Sequence, residues 1–245
     1  MKNILMKSIL IICIAAAVSC GWNIYASYQD MHQTKTDYEN LTVNTNAYSV
    51  ASPVNFEEMK NRNAEYCGWI WFDSQLISQP IVQTSDNTKY LHKNLDEQYS
   101  DYGTAFIDAA NSQTDQNRTI YGHSYFEDIN AATDSEYAFS PLNKLVDQQT
   151  YDQNKRFYID WEDGVKTYQI FAVCSIDRSE VNWDYTQNVF QTDKDFYAFI
   201  HNAKAYSSIS ADVDVAATDH LITLQTCTTY GSLQRTVVIA KEIGS

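Results

Sequence analysis

Residues 221–241 read LITLQTCTTYGSLQRTVVIAK, and this stretch decides the fold. Leu221–Thr226 and Thr236–Ala240 are short runs rich in β-branched and aliphatic residues, the composition of strands. A polar loop containing Gly231 separates them, as expected of two strands in a hairpin-like pair. Cys227 stands where the first strand opens into the loop, so its thiol is presented at a rim. Arg235 opens the second strand, and pairing of the two strands would return the guanidinium close to the thiol. A permanent cation there favours the thiolate. It can also bind negative charge that develops on an attacked carbonyl.

Working outward, six more strand-like runs precede this pair: Trp69–Phe72, Pro80–Gln83, Thr104–Ile107, Arg118–Tyr121, Phe157–Trp161 and Thr167–Ile176. Polar turns such as Trp161-Glu162-Asp163-Gly164 divide them. Eight short strands from Gly68 onward describe a mostly-β domain, a closed or nearly closed barrel. One helix precedes it and two interrupt it. Phe56–Tyr66 carries apolar residues at 56 and 59 among good helix formers. Ser140-Pro141-Leu142 starts another, with Ser140 as N-cap and Pro141 at the first helical position. Asp193–Tyr206 places Phe196, Phe199, Ile200 and Ala203 on one face.

The first residues are different. Lys2 and Lys7 precede Ser8–Ile24 (SILIICIAAAVSCGWNI), which is uncharged and just long enough to cross a bilayer. Positive charge on its N-terminal side puts that end in the cytoplasm and the remainder outside. An uncleaved signal-anchor is the leading reading; a cleaved secretory peptide and a lipoprotein signal ending at Cys20 are the alternatives. Trp22 to about Pro53 is polar and reads as a helix or stalk continuing from the membrane. The division expected is therefore an anchor over 1–25, a stalk over 26–54 and a catalytic domain over 55–245.

A net charge of −14 over 245 residues argues against a nucleic-acid partner. The five cysteines, Cys13, Cys20, Cys67, Cys174 and Cys227, include no CxxC pair and no Cys/His spacing suited to zinc. Cys174, inside the run Phe171-Ala172-Val173-Cys174, reads as a small buried hydrophobe, and Cys67 beside Gly68-Trp69 as structural. A reactive thiol also needs a proton carrier. Among His32, His92, His123, His201 and His220, His123 stands out because it follows a strand and Gly122, where the backbone can turn sharply.

Three motifs in order resemble the sortases, in particular class B. Thr223-Leu224-Gln225-Thr226-Cys227 fits the TLxTC nucleophile motif, Tyr121-Gly122-His123 the YGH motif, and Arg235–Lys241 the run that opens the family's last strand. Gly68-Trp69-Ile70, Pro80–Gln83, Asp86-Asn87 with Tyr90-Leu91, and Gly103–Asp108 are similar as well, so the likeness covers about residues 55–243. It implies an eight-stranded sortase-type β-barrel with N-terminal helices and an extra helix, Asp193–Tyr206, before the nucleophile strand. The chain departs from the family at Ser124, often Asn or His there, at Gln225, commonly Ser, and in a short Cys-to-Arg loop.

The resemblance implies a membrane-anchored cysteine transpeptidase of a Gram-positive cell surface, working without cofactor or metal. Cys227 would be the nucleophile, His123 the acid/base and Arg235 the oxyanion stabiliser. Asn87, Tyr185, Thr186, Gln225 and Thr226 would border the substrate. The partners implied are secreted proteins bearing an NPxTN-like sorting signal and an amine from a cell-wall peptide or, alternatively, from a pilin Lys. Two readings from other classes compete. One is a membrane-tethered binding module, against which the Cys–His–Arg set speaks. The other is a papain-like protease, whose Cys lies on a helix near the mature N-terminus rather than after a late strand.

Overall fold

The computed structural model describes residues 2–42, 51–125, 135–228 and 233–244. Eight strands form a closed barrel: β1 (Tyr66–Trp71), β2 (Ser78–Gln83), β3 (Ala105–Ile107), β4 (Asn117–Tyr121), β5 (Arg156–Trp161), β6 (Gly164–Asp177), β7 (Leu221–Cys227) and β8 (Gln234–Glu242). Their order around the barrel is β1-β2-β3-β4-β7-β8-β6-β5, closed by antiparallel pairing of β1 with β5. Two neighbouring pairs, β2–β3 and β4–β7, are parallel, and each needs a long crossover. All eight expected strands are present; most are longer than expected, whereas β3 loses Thr104 and β1 ends at Trp71, one residue before Phe72.

Alternation along the strands feeds three cores. Ile120, Ile159, Ile170, Ile222, Leu224 and Val238 fill the barrel interior. On one outer face, Phe171, Cys174, Leu221, Val237 and Ile239 are covered by α4 (Asp193–Ala205), whose Phe196, Phe199, Ile200 and Ala203 are buried as the sequence spacing requires. Thr192 caps α4, its hydroxyl accepting from the Asp195 amide at 3.2 Å. The third core lies under α1 (Lys2–Leu41) and α2 (Phe56–Arg62) and holds Tyr38, Met59, Tyr66, Trp69, Tyr90 and Tyr102.

Helix α1 has two halves. The first carries exposed Ile9, Ile11, Ile12 and Val18 within an apolar window of mean hydropathy 2.0, none of it buried. It is the one helix among the described residues long and apolar enough to cross a membrane. The second half docks on the barrel. Tyr38 stacks edge-on against Trp69 and Tyr102, its oxygen 3.0 Å from Thr104 Oγ1 and accepting from the Leu95 amide at 3.1 Å. Asp30 accepts from the Asp101 amide at 2.7 Å. The stalk segment 43–50 lies outside the described residues.

Two expected helix boundaries are corrected. Helix α2 stops at Arg62 instead of continuing to Tyr66, because Asn63 caps it in an extended conformation. The Asn63 side chain donates to Tyr90 Oη and the Leu95 carbonyl and accepts from the Glu65 amide, which turns the chain into β1. The helix begun at Ser140 is a 3-10 helix, Ser140–Val146, followed by α3 (Gln148–Gln153). Ser140 is its first residue and not its cap. Phe139 occupies the cap position, and the Ser140 hydroxyl is spent on the Tyr125 amide at 2.7 Å.

Asp160 on β5 is buried, and burial raises its carboxyl above the ordinary range against a smaller opposing hydrogen bond with Ser52. A folded pKa above the unfolded one means stability that is complete below the unfolded value of about 3.9 and is lost as pH rises through the higher folded value. Asp160→Asn is expected to raise the melting temperature at about pH 7 and to lose that gain as pH falls toward about 3. Thermal unfolding at the two pH values checks this, and an equal gain at both would contradict it.

Candidate active site

The strand registers bring three chain segments to one rim. On the β7–β8 hairpin the last pair is Cys227 opposite Arg235, and the Thr228 amide donates to the Gln234 carbonyl at 3.2 Å one step further. Parallel pairing of β4 with β7 sets Tyr121 beside Gln225, and the Gly122 amide donates to the Gln225 carbonyl at 3.1 Å. Tyr121 and Gly122 therefore run alongside Gln225 and Thr226, and His123 and Cys227 each follow directly. Leu224 points into the barrel, so Gln225 and Cys227 occupy the outer face, as Arg235 does on β8 beside outward Val237.

Cys227 is half-buried at this rim. Burial pushes the other two barrel thiols, Cys67 and Cys174, up to about 12. They stay protonated and inert at neutral pH.

His123 leaves the end of β4 with its ring fixed from several sides. Nε2 lies 2.7 Å from the Leu91 carbonyl. A carbonyl only accepts, so Nε2 carries the proton and Nδ1 is left to exchange one. Gly103, at φ +66°, lets the Leu91 segment approach: a Cβ there would sit 3.0 Å from His123 Cδ2 and 2.8 Å from the Tyr90 carbonyl. Gly122 matters for a different reason than the sharp turn expected of it. A Cβ at Gly122 would fall 2.4 Å from the Phe139 ring, so the position is glycine because that ring packs on the backbone. Burial lowers the His123 pKa below the ordinary histidine value; the Leu91 carbonyl and Asp101 act in the opposite direction.

Arg235 Nη1 donates to the carbonyl of Gln234 at 2.8 Å. Gln225 Oε1 accepts from Tyr185 Oη at 2.8 Å, which ties the segment before α4 to the nucleophile strand. Burial raises the Tyr185 hydroxyl pKa, and the field of Cys227 adds to it while Arg178 and Arg235 oppose it.

The other expected residues fall in different places. Asn87 is exposed; its Oδ1 accepts from the Ala109 amide at 2.7 Å and its Nδ2 donates to Asp108, which in turn accepts from Tyr121 Oη at 2.5 Å. Thr186 closes a turn on Asp184 through its hydroxyl at 2.6 Å. Thr226 faces the interior, opposite to Cys227, with its hydroxyl donating to the Gly122 carbonyl at 2.9 Å. The short Cys-to-Arg loop falls largely at 229–232, outside the described residues. Sequence reasoning passed over Asn143, whose side chain reaches the Cys227 carbonyl. No spacing rule would have found it, because the contact crosses 84 residues.

A cysteine opposite an arginine in a hairpin register, with a histidine following the parallel neighbour, is a residue set suited to acyl transfer. The profile of the Sortase domain family matches residues 73–243, more than half of the chain. The chain belongs to the sortase family. Sortase B of Staphylococcus aureus (strain NCTC 8325 / PS 47) is 24% identical over 241 residues, covering 95% of this sortase and 94% of the relative. The crystal structure of Clostridium perfringens sortase B superposes with a TM-score of 0.68 at 27% identity, over 77% of this chain and 100% of that one. The Staphylococcus aureus sortase B–substrate complex superposes with a TM-score of 0.69 at 24% identity, over 88% of this chain and 92% of that one. This sortase is of class B, and it is a cysteine transpeptidase acting in the sorting of surface proteins.

Proposed function

We propose that this sortase cleaves a C-terminal, NPxTN-like sorting signal after its Thr and transfers the protein to an amine of the cell wall. The single observation that carries the reading is the pairing of Cys227 with Arg235 at the rim where His123 leaves the neighbouring parallel strand.

In this reading the Cys227 thiolate attacks the Thr carbonyl carbon. A C–S bond forms, and the oxyanion is met by the Arg235 guanidinium. The scissile C–N bond then breaks, and the leaving amine takes a proton from the imidazolium of His123, leaving a thioester. An incoming amine attacks that thioester, His123 accepts its proton, and the thiolate departs. The thioester retains the acyl group in reactive form, so the amide product needs no other energy source. Burial favours the neutral ring in resting His123, so the ring can take the Cys227 proton as the thiolate forms and become the imidazolium that the leaving amine needs.

Residues around the triad fit a peptide site. Tyr185 and Gln225 form one polar wall on the face that carries Cys227, and Asn87 joins the same face through Asp108 and Tyr121. Thr186 would border the substrate beside Tyr185. Thr226 would act indirectly, by holding Gly122 in front of His123. The exposed apolar half of α1, with Lys2 and Lys7 before it, supports a single-pass anchor over residues 1–25 with the catalytic domain, 55–245, outside the membrane.

The test is incubation with a panel of sorting-signal pentapeptides, with and without a cell-wall amine. An acyl-enzyme detected by mass spectrometry, mapping to Cys227 and ending in Thr, is expected with NPxTN-like peptides. Acylation by none of them, in an enzyme that transfers another peptide, would overturn the signal assigned.

A further inference from the structure

Behind the rim, one buried side chain touches both sides of the site. Asn143 lies on the 3-10 helix Ser140–Val146 and is 2% exposed. Its Nδ2 donates to the Cys227 carbonyl at 3.2 Å and to Ser124 Oγ at 3.0 Å, and its Oδ1 accepts from Thr236 Oγ1 at 2.5 Å. The Cys227 carbonyl can only accept, so the amide group must present its NH2 there and its oxygen to Thr236. Each contact falls on a different strand end. Cys227 ends β7, Ser124 directly follows His123, and Thr236 directly follows Arg235. Thr236 is held in turn by Thr228, 3.2 Å away, the residue after Cys227.

Among the described residues, the backbone bonding between β4 and β7 stops at Gly122 and Gln225. Past that point the separation of the two chain ends is set by what bridges them. The 3-10 helix grips the His123 side twice more, through the Phe139 amide to the His123 carbonyl at 2.9 Å and through Ser140 Oγ to the Tyr125 amide at 2.7 Å. Asn143 is its hold on the Cys227 side. A buried amide with every bond satisfied has one arrangement and strong penalties for others.

We propose that Asn143 is a positioning residue that sets the spacing of Cys227 from His123. The inference rests on the reading of those two residues as nucleophile and acid/base. A shift of about 1 Å between reacting groups costs about 10²-fold in rate, so the spacing matters more to turnover than to substrate affinity.

The experiment compares Asn143→Leu, Asn143→Asp and Thr236→Val with the wild-type full chain. Asn143→Leu removes all three bonds at similar size. Asn143→Asp keeps the acceptor for Thr236 and sets an acceptor against the Cys227 carbonyl. The readouts are kcat and KM for peptide transfer to an amine, iodoacetamide alkylation of Cys227, and melting temperature. In both Asn143 variants kcat is expected to fall about 10- to 100-fold with KM changed by less than about threefold, while Cys227 remains alkylated. Thr236→Val is expected to fall less, since both bonds donated by Asn143 survive. A kcat within about twofold of wild type in folded Asn143 variants would overturn the proposal, as would a loss confined to KM. Failure of both Asn143 variants to fold would also overturn it, assigning Asn143 to stability alone. Cys227→Ala is run alongside. Inactive Cys227→Ala with normal Asn143 variants removes only the positioning role, whereas active Cys227→Ala removes the reading beneath it.

Discussion

Cys227→Ala is expected to abolish peptide transfer and acyl-enzyme formation while leaving the melting temperature close to that of the wild type. The basis is local. Cys227 is half-buried at the end of β7, and removing a rim sulfur leaves no sealed cavity of the kind that makes core truncations costly. Neither remaining barrel thiol can replace it, since burial pushes Cys67 and Cys174 up to about 12. The loss should therefore be complete instead of partial, without the residual turnover that a neighbouring nucleophile would supply. Intact-protein mass spectrometry after incubation with a sorting-signal peptide, together with thermal unfolding, checks both halves. Measurable transfer by the variant would remove Cys227 from the role of nucleophile.

Much of this site was readable in the residues, and the parts that were not share a cause. Alternation in Leu221–Thr226 and Thr236–Ala240, with Gly231 between, was enough to pair Cys227 with Arg235, because a hairpin's register follows from chain spacing. All eight strands were legible for the same local reason. The Ser140 cap was misplaced because its hydroxyl has a distant partner, the Tyr125 amide, that no helix-start rule anticipates. Asn63 ended α2 early through contacts with Tyr90 and Leu95, again remote in sequence. Gly122 was identified as special, but the reason, the Phe139 ring against its backbone, belongs to packing. Asn143 carried no signal at all. The parallel pairing of β4 with β7 likewise came only with the fold, since nothing in either strand announces a partner across so long a connection.

Arg235→Ala is expected to lower kcat/KM about 10²- to 10³-fold, or about 3 to 4 kcal/mol, the usual effect of losing one oxyanion-stabilising group. The effect should appear mainly in kcat, because the charge assigned to Arg235 in the proposed mechanism exists in the transition state and not in the bound peptide. Arg235→Lys keeps the positive charge and loses the planar fork, so it should recover only part of the loss. The guanidinium also donates to the Gln234 carbonyl at 2.8 Å, and the melting temperature of both variants separates that contribution from the chemical one. A kcat/KM within about threefold of wild type in a folded Arg235→Ala enzyme would show that the oxyanion is stabilised elsewhere.

The order of the strands has a consequence for when the enzyme comes to life. The two final strands are wedged between β4 and β6, so until they arrive the sheet has a gap with two raw edges. Gly122 and Thr226, which touch across that gap, are 104 residues apart. No growing or truncated polypeptide short of β8 can own a working centre, however well its earlier portions have folded. Sealing the cylinder and bringing Cys227 opposite Arg235 are one event, so a chain whose tail is not yet in place is expected to be chemically silent.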